Sequence, residues 1–416
     1  MIYLSSVIWG PATVAALIVF GIFLTIKLRF IQLRRFPSML REVFGGNRAS
    51  RRSLMTALAG TLGTGNIIGV GTAISLGGAG AIFWMWVSAF FGMAIKYTEI
   101  MLAQKYRTAD GKGGGMYMLK NGLRSPFLGG LFAVLCIVAS FGIGNAVQSN
   151  SAAVALRQAF DIPAVVTSAA VAFVVGLVLC GGANKVFSFC ERMVPSLAAV
   201  YMILAVLVLI ICRQGIVPAF GRIFSEGFNF HSAAGGIAGS VAMSAIKYGT
   251  SRGIFTNEAG LGSAPIAHSA SDNPRQGLWG MFEVFFDTIV MCTVTALVIL
   301  CSGVVVGGDN VTLSAFESVL GSISGKAVGI CTAMFAVCTI VAWSFYAERC
   351  IEFLTPKKSA IKTYRSVYTA VAFVGGILSL SFVWECGDVF NGLMMIVNLI
   401  GIVGLSVRSR FSERCR

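Results

Sequence analysis

The residues of this chain able to do chemistry are polar side chains set inside long apolar stretches, and they fall into four groups. Thr61, Thr64 and Asn66 form the first, and Asn145, Gln148, Asn150 and Ser151 the second. Within the second, Gln148 and Ser151 are three apart and share a helix face. Thr256, Asn257 and Glu258 make the third; the fourth holds Glu283 and Asp287, four apart, with Thr288 beside Asp287. Polar groups inside apolar spans are costly and mark paths for substrates and ions. Hydroxyls, amides and carboxylates offer oxygen, which suits a hard cation such as Na⁺. No set of nucleophile, base and oxyanion donor can be assembled from them, so an enzyme is not expected. His231 and His268 lack a His or Cys partner at metal-ligand spacing and are expected at boundaries or in packing.

Two interrupted segments must position these groups. Ala59 to Gly71 carries Gly60, Gly63, Gly65, Gly69 and Gly71 in an uncharged run, and each glycine costs about 1 kcal/mol relative to alanine inside a helix. Lys247 to Pro265 is the second, with Arg252, Asn257, Glu258 and Pro265 within one span. A helix that gives up its own hydrogen bonds at membrane depth must line something polar. The exposed amides of a half-helix N-terminus suit a carboxylate, and unwound carbonyls suit a cation. A zwitterion with a small side chain, together with Na⁺, uses both ends of both breaks, which points to an amino acid. Gln148 and Asn150 equally suit bonding between neighbouring helices, and Asp287 a structural pair with a nearby Lys or Arg. Lys96 and Glu99, three apart, are expected to neutralise one another. The pair Gly375 and Gly376 is read as close helix packing.

The chain has 416 residues, 56% of them hydrophobic and 12% charged, with 49 glycines; its mean hydropathy is +0.82. This composition lies far from the soluble average and is that of an integral, all-α, polytopic membrane protein. Spans need about 20 apolar residues each. Eleven candidates follow: Ile8 to Ile26, Leu54 to Leu76, Ile82 to Ala103, Phe127 to Leu156, Ile162 to Ala183, Met193 to Cys212, Ala233 to Ala270, Leu278 to Val306, Ala327 to Ala347, Ser366 to Val383 and Val389 to Val407.

The net charge of +15 is topological. With the segment Lys27 to Arg52 cytoplasmic, alternating crossings place 25 of the 32 Lys and Arg inside, leave Arg157, Arg213, Arg222 and Lys326 outside, and put Lys96, Lys247 and Arg252 in or beside spans. That is the positive-inside distribution. It puts the N-terminus outside and the C-terminus in the cytoplasm, adds an attraction for anionic lipid headgroups, and removes nucleic acid as a partner. The 11 cysteines lie mostly within spans and form no CxxC pair, so neither a disulfide framework nor a zinc site is expected. No basic region precedes the first apolar stretch, which is read as a retained helix.

The chain divides into an added helix and basic loop (1–53), a first set of five spans (54–212), an outer connection (213–232), a second set of five (233–407) and a basic tail (408–416). An odd number of spans per half inserts the halves in opposite senses. Glycine-interrupted segments opening both halves point to a secondary transporter whose substrate sits between the repeats near the bilayer midplane. Gly113 to Gly115 after Lys112 lacks the GxxxxGK[ST] spacing of a phosphate loop and is read as a turn.

Five stretches resemble the alanine or glycine:cation symporter family of bacteria and archaea over almost the whole chain. They are Gly60-Thr-Leu-Gly-Thr-Gly-Asn-Ile-Ile-Gly-Val70, Gly80-Ala-Ile-Phe-Trp-Met-Trp86, Gly253-Ile-Phe-Thr-Asn-Glu-Ala-Gly-Leu-Gly-Ser-Ala-Pro265, Phe282-Glu-Val-Phe-Phe-Asp-Thr-Ile289 and Ala342-Trp-Ser-Phe-Tyr-Ala-Glu-Arg349. The resemblance implies a LeuT-type five-plus-five inverted repeat with discontinuous first and sixth core helices. It also implies Na⁺-coupled uptake of alanine or glycine across the cytoplasmic membrane. Carried onto this chain, it implies a substrate pocket of Thr61, Gly63, Thr64, Gly65, Asn66, Gln148, Phe255, Thr256, Asn257 and Trp343, with Trp343 and Phe255 excluding large side chains. One Na⁺ site is implied between carbonyls near Ala59 and Leu62 and the side chains of Cys338 and Thr339. There the sequence departs from the family, which has serine at position 338, and thiol is a poor ligand for Na⁺. A second cation site is implied near Thr61, Asn66, Thr256 and Asp287. The rival readings are proton coupling through Asp287 or Glu283, and an amino-acid sensor or channel of the same fold.

Overall fold

A computed structural model describes residues 10–228, 237–305, 311–378 and 380–408, and these are helical, with no strand among them. His231 and most of the basic tail lie outside the described residues. The helices are α1 (Pro11–Lys27), α2 (Phe36–Gly45), α3 (Arg48–Thr61), α4 (Ile68–Gly77), α5 (Gly80–Lys105), α6 (Pro126–Phe160), α7 (Ala164–Cys180), α8 (Gly182–Ile211), α9 (Arg213–Gly227), α10 (Ile237–Asn257), α11 (Ala264–His268), α12 (Gln276–Cys301), α13 (Val311–Leu320), α14 (Ser322–Leu354), α15 (Lys358–Gly375) and α16 (Leu380–Arg408). Among the described residues, six stretches are helical, long and apolar enough to cross a membrane: α5, α6, α8, α12, α14 and Gly387–Val407 within α16. Shorter apolar helices join them.

The packing follows the two halves. α5 packs on α12, α6 on α14, and α3 and α4 on α11 and α10 respectively. Elements from the first part of the chain thus pack directly on elements from the second. α14 is the most enclosed of the long helices, with 89% of its apolar window buried, and both breaks sit against it. Tyr368 on α15 fastens this centre by donating to Ile340 O at 2.9 Å and Gly144 O at 3.3 Å.

Two boundaries differ from expectation. The connection 213–232 is mostly the helix α9, whose Glu226 carboxylate accepts from Ala79 N at 2.6 Å and caps the start of α5. α15 ends at Gly375 and α16 begins at Leu380, so the stretch from Glu385 to Asp388, expected between spans, lies within α16.

Candidate functional site

The first break is short. α3 runs to Thr61, a single 3-10 turn spans Thr64–Asn66, and α4 starts at Ile68. Gly63 sits where a β-carbon would lie 2.7 Å from Thr339 Oγ1 and 3.2 Å from Gln148 Oε1. Only glycine lets the chain pass so close to both. Gln148 reaches this turn because a π-turn, Gly142–Ala146, interrupts α6 just before it; its Oε1 accepts from Thr64 Oγ1 at 3.1 Å.

The second break is narrower than Lys247 to Pro265. α10 stays helical through Asn257, and only 258–263 are irregular before α11. Glu258 turns the chain at φ 52°, a left-handed conformation that costs a residue with a β-carbon about 1–3 kcal/mol. Its neighbours hold it there: Lys96 Nζ donates to Glu258 O at 3.3 Å, and Asn257 Oδ1 accepts from Ala259 N at 3.0 Å.

Both breaks open onto one cavity, lined by Gly60, Thr61, Gly63, Gly65, Ile143, Gln148, Phe255, Thr256, Glu258, Thr339, Trp343 and Asn391. Its free volume is about 20 Å³, on a measure by which one water takes about 10–15 Å³. The Glu258 carboxylate accepts from Trp343 Nε1 at 3.2 Å and Ser263 Oγ at 2.5 Å. Both donors are neutral. Arg252 lies over the Phe255 ring, 5.5 Å from its centroid.

A second polar cluster lies beside the cavity. Asn66 Nδ2 donates to Asp287 Oδ1 at 2.8 Å and Asp287 O at 3.0 Å, and Thr288 Oγ1 donates to Asp287 Oδ2 at 2.8 Å. Thr256 and Asn257 meet Thr288 Oγ1 at 3.4 Å. Asp287 is fully buried, and among the described residues no Lys or Arg lies within ion-pair distance of it. The structural-pair reading of Asp287 therefore finds no basic partner. Asn66 Oδ1 is also buried and accepts from no donor.

Glu283 belongs elsewhere, although four residues from Asp287. The π-turn Phe285–Cys292 begins between them, and Glu283 meets Lys96 Nζ at 3.3 Å and His268 Nε2 at 3.1 Å. Lys96 also faces Glu99 at 3.8 Å, as its sequence spacing implied, and Asn398 joins Glu99 to Gly260 O. His268 is thus part of a buried polar network. Asn150, by contrast, bonds a neighbouring segment, donating to Leu378 O at 2.6 Å.

Of the residues expected at the pocket, Thr61, Gly63, Gly65, Gln148, Phe255, Thr256 and Trp343 line the cavity, and Thr64 bonds to Gln148 at its edge. Asn66 and Asn257 sit in the Asp287 cluster instead. Of the expected ion ligands Thr339 lines the cavity, while Ala59, Leu62 and Cys338 are buried beside it without lining it. Ile143, Glu258 and Asn391 are lining residues outside the expected set. A carboxylate in the third polar group was the available signal for Glu258.

The sequence pattern of the sodium:alanine symporter family matches residues 1–410. The chain belongs to the sodium:alanine symporter family. It is a multi-pass membrane symporter, and not an enzyme. It is 42% identical to the sodium/alanine symporter AgcS of Methanococcus maripaludis, over 97% of this chain and 93% of that protein. It is 35% identical to a probable sodium/glutamine symporter, GlnT, of Bacillus subtilis, over 97% of this chain and 87% of that one. Among solved structures it resembles MhsT in complex with L-phenylalanine, with a TM-score of 0.65 at 16% identity, covering 89% of this chain and 93% of the other. This family member has the LeuT-type fold.

Proposed function

We propose that this symporter imports alanine or glycine together with Na⁺ by alternating access, and that the cavity between the two breaks is its substrate site. The observation that carries the reading is that a buried carboxylate, Glu258, and the turn leading into α4, through Gly63 and Gly65, line one small cavity. A helix N-terminus presents unpaired amides and partial positive charge, so the substrate carboxylate takes the Gly63–Gly65 side. Its ammonium takes Glu258 and the carbonyls at the end of α3. Its side chain then faces Trp343, Phe255 and Ile143, where the tight walls suit hydrogen or methyl and exclude larger groups.

Two cation positions are proposed beside it. Thr339 Oγ1 donates to Phe335 O at 3.2 Å, which leaves its lone pairs for Na⁺ together with carbonyls near Ala59 and Leu62 and, less favourably, the Cys338 thiol. The second is the Asp287 cluster with Thr61 and Thr256. A buried carboxylate with only neutral partners and an unpaired Asn66 Oδ1 form an oxygen-rich, negatively charged spot suited to a hard cation.

The positive-inside charge distribution supports insertion in a cytoplasmic membrane with the N-terminus outside and the C-terminus inside. Two broken segments, each followed by long helices, support repeats at 54–212 and 233–407. Na⁺ and substrate each bind better in the other's presence, by thermodynamic reciprocity.

Uptake of labelled alanine into proteoliposomes tests this. Saturable uptake driven by an inward Na⁺ gradient and competed by glycine is expected. Uptake that persists with choline in place of Na⁺ and follows a pH gradient would instead establish proton coupling. Alanine binding with no accumulation would establish a sensor or channel.

A further inference from the structure

A second cavity lies away from the breaks, between α2, α3, α8 and α12, with a volume of about 450 Å³. Leu54 and Leu58 of α3, Val194 and Met202 of α8, and Phe282 and Phe286 of α12 line it, and Arg51 supplies its charged group. Phe44 of α2, 75% exposed, stands against Phe282 with ring centroids 6.2 Å apart. α8 and α12 are each long and apolar enough to cross a membrane, which brings a groove between them within reach of lipid acyl chains.

Cations outnumber acids at this end of the groove. Arg48 and Arg52 share the single carboxylate of Glu191, at 3.5 and 3.4 Å, and Arg51 is exposed, with no acid within ion-pair distance among the described residues. An apolar slot ending in surplus guanidinium groups matches a ligand with an acyl chain and an anionic head. Arg binds phosphate oxygens by a planar, multidentate fork, and basic pockets between membrane helices receive anionic headgroups in this way. A zwitterionic lipid brings its own cation to a site already positive. We infer that this groove is a specific site for one anionic phospholipid, its acyl chain between α3, α8 and α12 and its phosphate on Arg51.

The site has a consequence for the breaks. Leu58 lies one turn before Leu62, where α3 ends. A chain held in the groove stabilises whichever arrangement keeps α3 against α8 and α12, and so shifts any equilibrium in which α3 moves.

The test reads lipid binding directly and does not depend on transport. The full protein is reconstituted in phosphatidylcholine bilayers containing either phosphatidylglycerol or phosphatidylcholine with brominated acyl chains, which quench nearby tryptophan. Trp279 also lines the groove, and the difference between the natural protein and Trp279→Phe isolates its signal. Brominated phosphatidylglycerol is expected to quench Trp279 at a several-fold lower mole fraction than brominated phosphatidylcholine, and Arg51→Gln is expected to merge the two curves. Native mass spectrometry of the natural and Arg51→Gln proteins with the same two lipids gives the preference without any tryptophan variant. Equal binding of both lipids, a preference that survives Arg51→Gln, or no quenching of Trp279 by either lipid would each overturn the inference. The last outcome would leave the groove to a second copy of the chain.

Discussion

Trp343 Nε1 donates to Glu258 Oε1 at 3.2 Å, joining the middle of α14 to the second break. One indole therefore walls the cavity and aims the carboxylate within it. Ser263, the other donor, is also neutral, and among the described residues no Lys or Arg lies within ion-pair distance of the Glu258 carboxylate; Lys96 reaches the backbone oxygen of Glu258 instead. Glu258→Gln keeps the shape and removes the charge. A hydrogen bond to a charged group is worth about 1.5–3 kcal/mol, so the alanine concentration for half-maximal uptake is expected to rise roughly 10- to 150-fold. Concentration-dependent uptake checks this, and an unchanged value removes Glu258 from ammonium binding.

Thr339 Oγ1 stands over Gly63, at the seam between α14 and the first break. Thr339→Ala deletes one neutral oxygen worth about 0.5–1.5 kcal/mol, so half-saturating Na⁺ is expected to rise roughly 2- to 12-fold. Cys338→Ser is expected to move it the opposite way, since hydroxyl oxygen suits Na⁺ better than a thiol. Titration of uptake against Na⁺ at fixed alanine measures both. No response to either substitution would remove this pair from the ion site.

The existence of two breaks was legible from glycine density, but their extent was not. Gly249 and Gly253 made Lys247 to Asn257 look unwound, yet it is helical. Their missing side chains let α10 approach α5, since β-carbons there would lie 2.2 Å from Ala81 O and 2.1 Å from Ser88 Oγ. Close packing and unwinding use the same residue, and only tertiary structure separates them. Lys96 with Glu99 was readable from spacing; Glu283, its nearer partner, lies far along the chain and was not. Gln148 and Asn150, two apart, were equivalent in sequence. The π-turn before them and the partners on each side send one to the break and the other to Leu378.

Lys96 is buried among Glu283, Glu99 and the carbonyl of Glu258. Removing one partner of such a network leaves uncompensated buried charge, which costs about 3–5 kcal/mol. Lys96→Met is expected to lower the thermal stability of the purified protein accordingly, and Lys96→Met with Glu283→Gln to recover part of the loss. Equal stability of all three proteins would show that the network contributes little to folding.

Asp287 is held by Asn66 and Thr288 and, among the described residues, faces no basic side chain within ion-pair distance. Asp287→Asn retains a similar shape and removes the charge proposed to attract a cation. Stabilisation by Na⁺ follows the ratio of its concentration to its dissociation constant, so the rise in unfolding temperature on adding Na⁺ should shrink in this variant. Isotopic Na⁺ binding should weaken roughly tenfold or more. If both stay as in the natural protein, Asp287 is structural.

Gly144 and Trp343 set the size of the cavity together. A β-carbon on Gly144 would lie 2.5 Å from Trp343 Cγ, so Gly144→Ala pushes the indole towards the substrate, whereas Trp343→Ala withdraws it. Glycine uptake should therefore outlast alanine uptake in Gly144→Ala, and valine and leucine should begin to compete with alanine in Trp343→Ala. Truncating a buried tryptophan costs about 3–5 kcal/mol of stability and also removes the donor to Glu258, which confounds size with affinity. Trp343→Phe separates them, because the ring keeps most of the wall while the N–H is lost. It should weaken alanine binding yet still exclude leucine. Admission of leucine by Trp343→Phe, or its exclusion by a folded Trp343→Ala, would show that the indole is not what limits side-chain size.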